Sequence, residues 1–159
     1  RAQDVGIGLS YVPVVMIVMN VVYAGAAYPS GAAADRTSAR TLLLLGLVVL
    51  VAADIALALA PSPLVVFIGA ALWGLHMALT QGLLAKLVAD ASPAELRGTG
   101  FGVFSLVSGI ALLLASVVAG TLWSVFGPSA TFLAGAGFAA VAAVGLPAIM
   151  PHQTPRPAD

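Results

Sequence analysis

Two side chains in this sequence can hold or release a proton while lying inside otherwise apolar stretches, Asp54 and His76. An ionisable group in an apolar run is expensive to keep and is a functional hypothesis by default. At about 100° per residue, Trp73, His76 and Thr80 share one face of a helix. The opposite face carries Ala70, Gly74, Ala78 and Gly82, a stripe of small residues of the kind that lets helices approach closely. That division expects the small face to pack and the other to line a cavity, with His76 and Thr80 touching a substrate or passing a proton. The plainer reading of His76 is a neutral ring bonded to a neighbouring backbone carbonyl. Gln81 lies about 140° round the helix from His76, beside the small stripe, and suits an interhelical hydrogen bond better than a substrate contact.

Asp54 has two readings as well, a proton-coupling carboxylate or a structural acceptor for a Ser, Thr or backbone donor. It is set off from His76 by roughly 8 Å along the axis at 1.5 Å per residue, so a direct pair between them is not expected. Asn20 lies deep in the first apolar stretch on a face with Pro13, which is expected to kink its helix and free carbonyls. Asn20 can line a path or join two helices.

Other chemistries lack their residues. With no cysteine and two histidines, thiolate chemistry, disulfides and Cys-based metal sites are excluded, and no cofactor or metal is expected. Gly98-x-Gly100-x-Gly102 is no dinucleotide fingerprint: the third glycine position holds Val103, and no strand precedes it. Gly98 and Gly102 instead make a GxxxG pair, expected to pack closely at a helix start, and Gly135-Ala-Gly137 is read the same way. Net charge is zero, which leaves no basic stripe for nucleic acid.

The elements that carry these residues follow from composition. The chain is 61% hydrophobic and 8% charged over 159 residues, against roughly 25% charged in soluble domains. Crossing a bilayer takes about 20 apolar residues in a helix. The fold class expected is all-α, a polytopic membrane bundle of about five transmembrane helices. The spans are 5–28, ending at Pro29-Ser30-Gly31; 41–60, ending at Pro61-Ser62-Pro63; 64–87; 98–126; and 129–150. Between Gly98 and Met150 no residue is charged. As one helix that run would reach on the order of 80 Å, so it must turn back, and Gly127-Pro128-Ser129 is the turn. Barrel strands would alternate in short segments, and these runs are continuous. Residues 151–159 are a polar, Pro-rich tail.

Five spans put Arg36, Arg40, Arg97 and Arg156 on one side, with Lys86 near its boundary, and only Arg1 on the other. Positive residues mark the cytoplasm. The tail and both polar loops are therefore expected inside, in the plasma (inner) membrane, with residue 1 outside. The chain opens on Arg1 rather than Met, and its N-terminus reads as a cut.

The first polar loop, Gly31-Ala-Ala-Ala-Asp35-Arg36-Thr-Ser38-Ala-Arg40, resembles the cytoplasmic signature of the major facilitator superfamily, G-x-x-x-D-[RK]-x-G-x-[RK]-[RK]. Gly31, Asp35, Arg36 and Arg40 match; Ser38 and Thr41 depart from it. The second loop, Pro93-Ala-Glu95-Leu-Arg97-Gly98, looks like the family's connection between its tenth and eleventh helices. So does Phe104 to Gly120, followed by Phe126-Gly127-Pro128. The resemblance covers nearly the whole chain and implies the eighth to twelfth helices of a twelve-helix transporter. It implies that Gly31, Asp35, Arg36, Arg40 and Arg97 belong to a cytoplasmic gating loop that latches two halves, its partner being N-terminal helices this chain lacks. It also implies that the first and third spans border the central path, while the second is a peripheral support. The plain alternative is that Arg36 and Arg40 set topology and touch lipid phosphates.

The function these observations support together is the C-terminal part of a secondary active transporter. It would move a small-molecule substrate across a lipid bilayer by alternating access, driven by protons. The alternative is a structural or accessory membrane subunit. No nucleophile–base pair, metal cluster or phosphate loop argues for an enzyme.

Overall fold

The computed structural model describes residues 1–150; the expected tail and its Arg156 lie outside them. Five long helices follow one another: α1 Val12–Ala34, α2 Ala39–Leu59, α3 Pro63–Ala91, α4 Arg97–Phe126 and α5 Pro128–Ile149. All five are long and apolar enough to cross a membrane. Short 3-10 turns at Leu9–Tyr11 and Ala94–Leu96 lead into α1 and α4.

The helix boundaries follow local chemistry. Ser38 is the N-cap of α2, its hydroxyl accepting from the backbone N–H of Thr41 at 3.2 Å, which satisfies one of the donors a helix start leaves open. Ala60 and Ser62 each precede a proline and are non-helical, Ser62 fully extended, because the proline ring clashes with a helical residue before it. Between α4 and α5 the chain reverses at Gly127, whose φ of 83° is open to glycine and strained for other residues. Pro128 then opens α5, where a missing N–H costs nothing.

The first helix departs from expectation at both ends. It begins at Val12 rather than Val5 and runs through Pro29 to Ala34. Pro13 falls in its first turn, a position that tolerates proline without a kink. Residues 1–8 instead fold over the turn between α2 and α3, where Ile7 is buried with Leu57, Ala60 and Val66. Pro29 withholds one bond from the Gly25 carbonyl, yet the helix continues, because the turns beyond it are packed. Ser30 is buried, and Ala33 and Ala34 lie against a cluster of Leu42, Leu43, Leu79 and Leu83.

Laterally, α3 stands between α1 and α2, α2 packs on α5, and α4 leans on α5 with a lighter touch on α3. Glycines set the close approaches. A Cβ on Gly74 of α3 would overlap the Met19 carbonyl of α1, and one on Gly69 would lie 2.6 Å from Leu57 Cγ of α2. The expected pairing through Gly98 and Gly102 is not made, since a Cβ on either would meet nothing within 4 Å. Helix α4 has no buried residue; its apolar side chains, Leu106 and Leu113 among them, are exposed.

The two ends differ in charge. One gathers the loop with Arg36 and Arg40, the α3–α4 connection with Arg97, and Lys86, which reaches Asp35. At the other, Arg1 donates to the carbonyls of Leu57 and Ala60, and Ser129 donates to that of Ala58. These bonds satisfy acceptors that the last turn of α2 leaves open.

Candidate functional site

Two polar centres lie within the bundle, and a third closes its charged end. The first is Asp54, 3% exposed on the side of α2 that meets α3 and α5. The indole N–H of Trp73 donates to its Oδ1 at 3.0 Å. From α5, a Cβ on Gly135 would come within 2.7 Å of Oδ2, so only glycine lets that helix pass. Asp54 and His76 are not hydrogen-bonded to each other. The signal for the Trp73 partner was in the sequence: Trp73 precedes His76 by three residues, which moves it toward the depth of Asp54.

The second centre is His76, whose Nδ1 lies 2.8 Å from the Gly46 carbonyl of α2. A carbonyl only accepts, so Nδ1 carries a proton there. Thr80 donates to the His76 carbonyl one turn back, and its Cγ2 would be 2.5 Å from a Cβ on Gly46. The face with His76 and Thr80 therefore packs on α2, not on an open cavity.

The cavity lies on the opposite face of α3. On the charged side of the tight contact at Gly74, α1 and α3 enclose a space of about 340 Å³. Tyr23, Ser30, Gly31, Ala78, Gly82 and Lys86 are among its lining residues, and so is Asp35. The small stripe that was expected only to pack thus touches α1 at Gly74 and lines a cavity at Ala78 and Gly82. Tyr23 donates to Gln81 across the two helices at 3.1 Å, the interhelical bond expected of Gln81. Asn20 is exposed on α1 and donates to the Met16 carbonyl of its own helix.

The third centre is at the cavity mouth. Lys86 Nζ bonds Asp35 Oδ1 at 3.0 Å and reaches the Ala34 carbonyl at 3.4 Å. A cation at the last carbonyls of a helix also meets the negative end of its dipole. Lys86 ties α3 to the end of α1, a role sequence reasoning missed by treating it only as a topology charge. Gly31 lines the same mouth, while Arg36 and Arg97 are exposed and Arg40 is half-buried. Ser38, which departs from the signature's glycine, is the cap of α2.

The family model described as Major Facilitator Superfamily matches residues 1–159. An uncharacterized MFS-type transporter of Methanocaldococcus jannaschii is 30% identical over 131 residues, covering 82% of this chain and 33% of the relative. The chain thus spans about a third of that relative's length. No solved structure matches. With five membrane-length helices, the signature residues at a cavity mouth and a family match over the full sequence, this multi-pass membrane protein belongs to the major facilitator superfamily.

Proposed function

We propose that the chain supplies the equivalents of the eighth to twelfth helices of a secondary transporter, which moves a small molecule by alternating access coupled to protons. The observation that carries this reading is the cavity between α1 and α3, with the family's signature residues in its lining. The two helices touch at Gly74 and enclose a space on its charged side, lined among others by the signature residues Gly31 and Asp35 together with Lys86. In rocking of two halves about a midplane site, α1 and α3 belong to one half, held together by the Gly74 contact and by the Asp35–Lys86 pair at the signature end. Asn20, exposed on α1, is the substrate-path candidate that faces helices outside this chain. His76 and Thr80 act at the α2–α3 seam, where a change at one helix is felt at the other.

The positive end lies in the cytoplasm of an inner membrane, residue 1 lies outside, and the partners are lipid, the first-half helices, a small-molecule substrate and protons. Arg36 and Arg97, both exposed, and the half-buried Arg40 bridge to the first half as a gating loop.

The test is uptake into proteoliposomes holding the complete transporter polypeptide, for a panel of small amines, sugars and carboxylates, with and without an imposed proton gradient. Gradient-dependent accumulation of one class is expected. Accumulation of none, from protein that is helical and monodisperse, would favour the accessory-subunit reading instead.

A further inference from the structure

Asp54 is the one acidic side chain buried among the described residues. Its surroundings are unusually spare. An ionised carboxylate offers about four lone-pair sites, and here one neutral donor, Trp73 Nε1, fills one of them. From α5 the backbone at Gly135 passes the other oxygen so closely that a Cβ there would lie 2.7 Å from it, and α5 carries no titratable side chain. Helix α2 contributes no other ionisable group besides Arg40, at its far end. Helix α3 contributes Trp73 and, one turn on, His76, whose Nδ1 is committed to Gly46. Arg1, beyond the outer end of α2, is spent on the carbonyls of Leu57 and Ala60, and Asp4 in the same segment is exposed. No cation lies within salt-bridge distance of Asp54 among the described residues.

With no counter-ion within salt-bridge distance among the described residues, a proton is the compensating charge open to such a carboxylate. Its position at one junction of α2, α3 and α5 makes the consequence mechanical. An anion at Oδ1 holds the indole strongly, as a charge-assisted bond does; a neutral acid holds it weakly. We propose that Asp54, Trp73 and Gly135 form a proton-binding relay in which one proton, taken up by Asp54, loosens the grip of α2 on α3 at Trp73. The proton adds to a carboxylate oxygen to give the neutral acid and leaves again to water, with no other bond made or broken. Arg1 and the α2–α3 turn lie about two turns from Asp54, so the exchange is with the outer side. This inference deepens the proton-coupled reading and rests on it for its role in transport.

The experiment reads the site directly. The sequence holds two tryptophans, Trp73 and Trp123, so Trp123→Phe leaves Trp73 as the sole indole. Its emission, in nanodiscs, is followed between about pH 4 and about pH 9, the range in which carboxylates and shifted carboxylates titrate. A one-proton sigmoid of about twofold amplitude is expected, unaffected by His76→Ala and flattened by Asp54→Asn. Gly135→Ala, which crowds Oδ2, is expected to move the midpoint while leaving the helix content unchanged. A flat trace from folded Trp123→Phe protein, or a sigmoid that survives Asp54→Asn, overturns the proposal. This readout needs no substrate, so its failure leaves the transporter reading standing. In the transport assay, Asp54→Asn is expected to keep substrate exchange and lose at least tenfold of gradient-driven accumulation. Equal loss of both would place Asp54 in structure and not in coupling.

Discussion

At the scale of the residue, the bundle separates polar groups by what holds them. Asp54 has a single donor and is buried, so removing that donor leaves a desolvated acceptor with nothing in its place. Trp73→Phe keeps most of the ring's packing and deletes only the N–H. It is expected to cost about 1–3 kcal/mol, read as a lower midpoint of thermal unfolding in detergent. Lys86→Ala should behave oppositely. Its pair with Asp35 is roughly half to three-quarters exposed, so the stability loss is about 0–1 kcal/mol. Its effect is expected on the opening of α1 from α3 instead. A cysteine placed at Ser30, buried in the cavity lining, should react several-fold faster with a maleimide when Lys86 is alanine. An unchanged rate would mean the ion pair does not hold the mouth closed. These residues were unequally legible beforehand. Asp54 and His76 announced themselves as ionisable groups in apolar runs, but their partners did not, because a partner depends on which neighbour each helix face meets. Spacing along α3 placed His76, Thr80 and Trp73 on one face correctly; it could not say that this face meets α2 while the small stripe borders the cavity.

At the scale of the element, glycines and prolines set how closely and for how long each helix runs. Gly74 lets α3 lie directly on the backbone of α1 at Met19 and Tyr23. Backbone atoms have no rotamer to move aside, so even Gly74→Ala forces the helices apart, at about 1–3 kcal/mol for overpacking. The outcome expected is a lower unfolding midpoint together with loss of the Tyr23–Gln81 bond. Gly82→Ala, with nothing within 4 Å of its would-be Cβ, should be neutral or slightly stabilising, since alanine is the better helix former. Finding Gly74→Ala as mild as Gly82→Ala would show that α1 does not rest on α3 as described. The element boundaries show where local signals prevail and where they yield. The Pro61-Ser62-Pro63 stop holds because Ala60 and Ser62, each ahead of a proline, leave the helical conformation. Pro29 does not stop α1, because Ser30, Ala33 and Ala34 find packing past it. The apolar run from Val5 overstated the helix start for a related reason. Hydropathy counts apolar residues, and Ile7 is apolar because it packs over the end of α2 and not because it continues α1.

At the scale of the whole molecule, the asymmetry of charge and the openness of α4 belong to one argument. A polytopic bundle of this composition satisfies its backbone by helix alone, and its orientation follows the side that carries Arg and Lys. Arg36, Arg40, Lys86 and Arg97 gather at one end, and Arg1 stands at the other. Exposed apolar side chains along α4 and the outer face of α1 are lipid-compatible and carry no such preference, so the charges decide. Because the sequence has no cysteine, single-cysteine variants report topology without background. Thr37→Cys, in the loop between α1 and α2, is expected to resist a membrane-impermeant maleimide in intact cells and to react once the membrane is opened. Ser62→Cys, in the turn between α2 and α3, is expected to react in intact cells. The reverse pattern would invert the molecule, placing the Asp35–Lys86 mouth outside and Asp54 nearer the cytoplasmic water. The direction of proton entry through Asp54 would then invert with it, since the shorter path from that carboxylate runs past the α2–α3 turn.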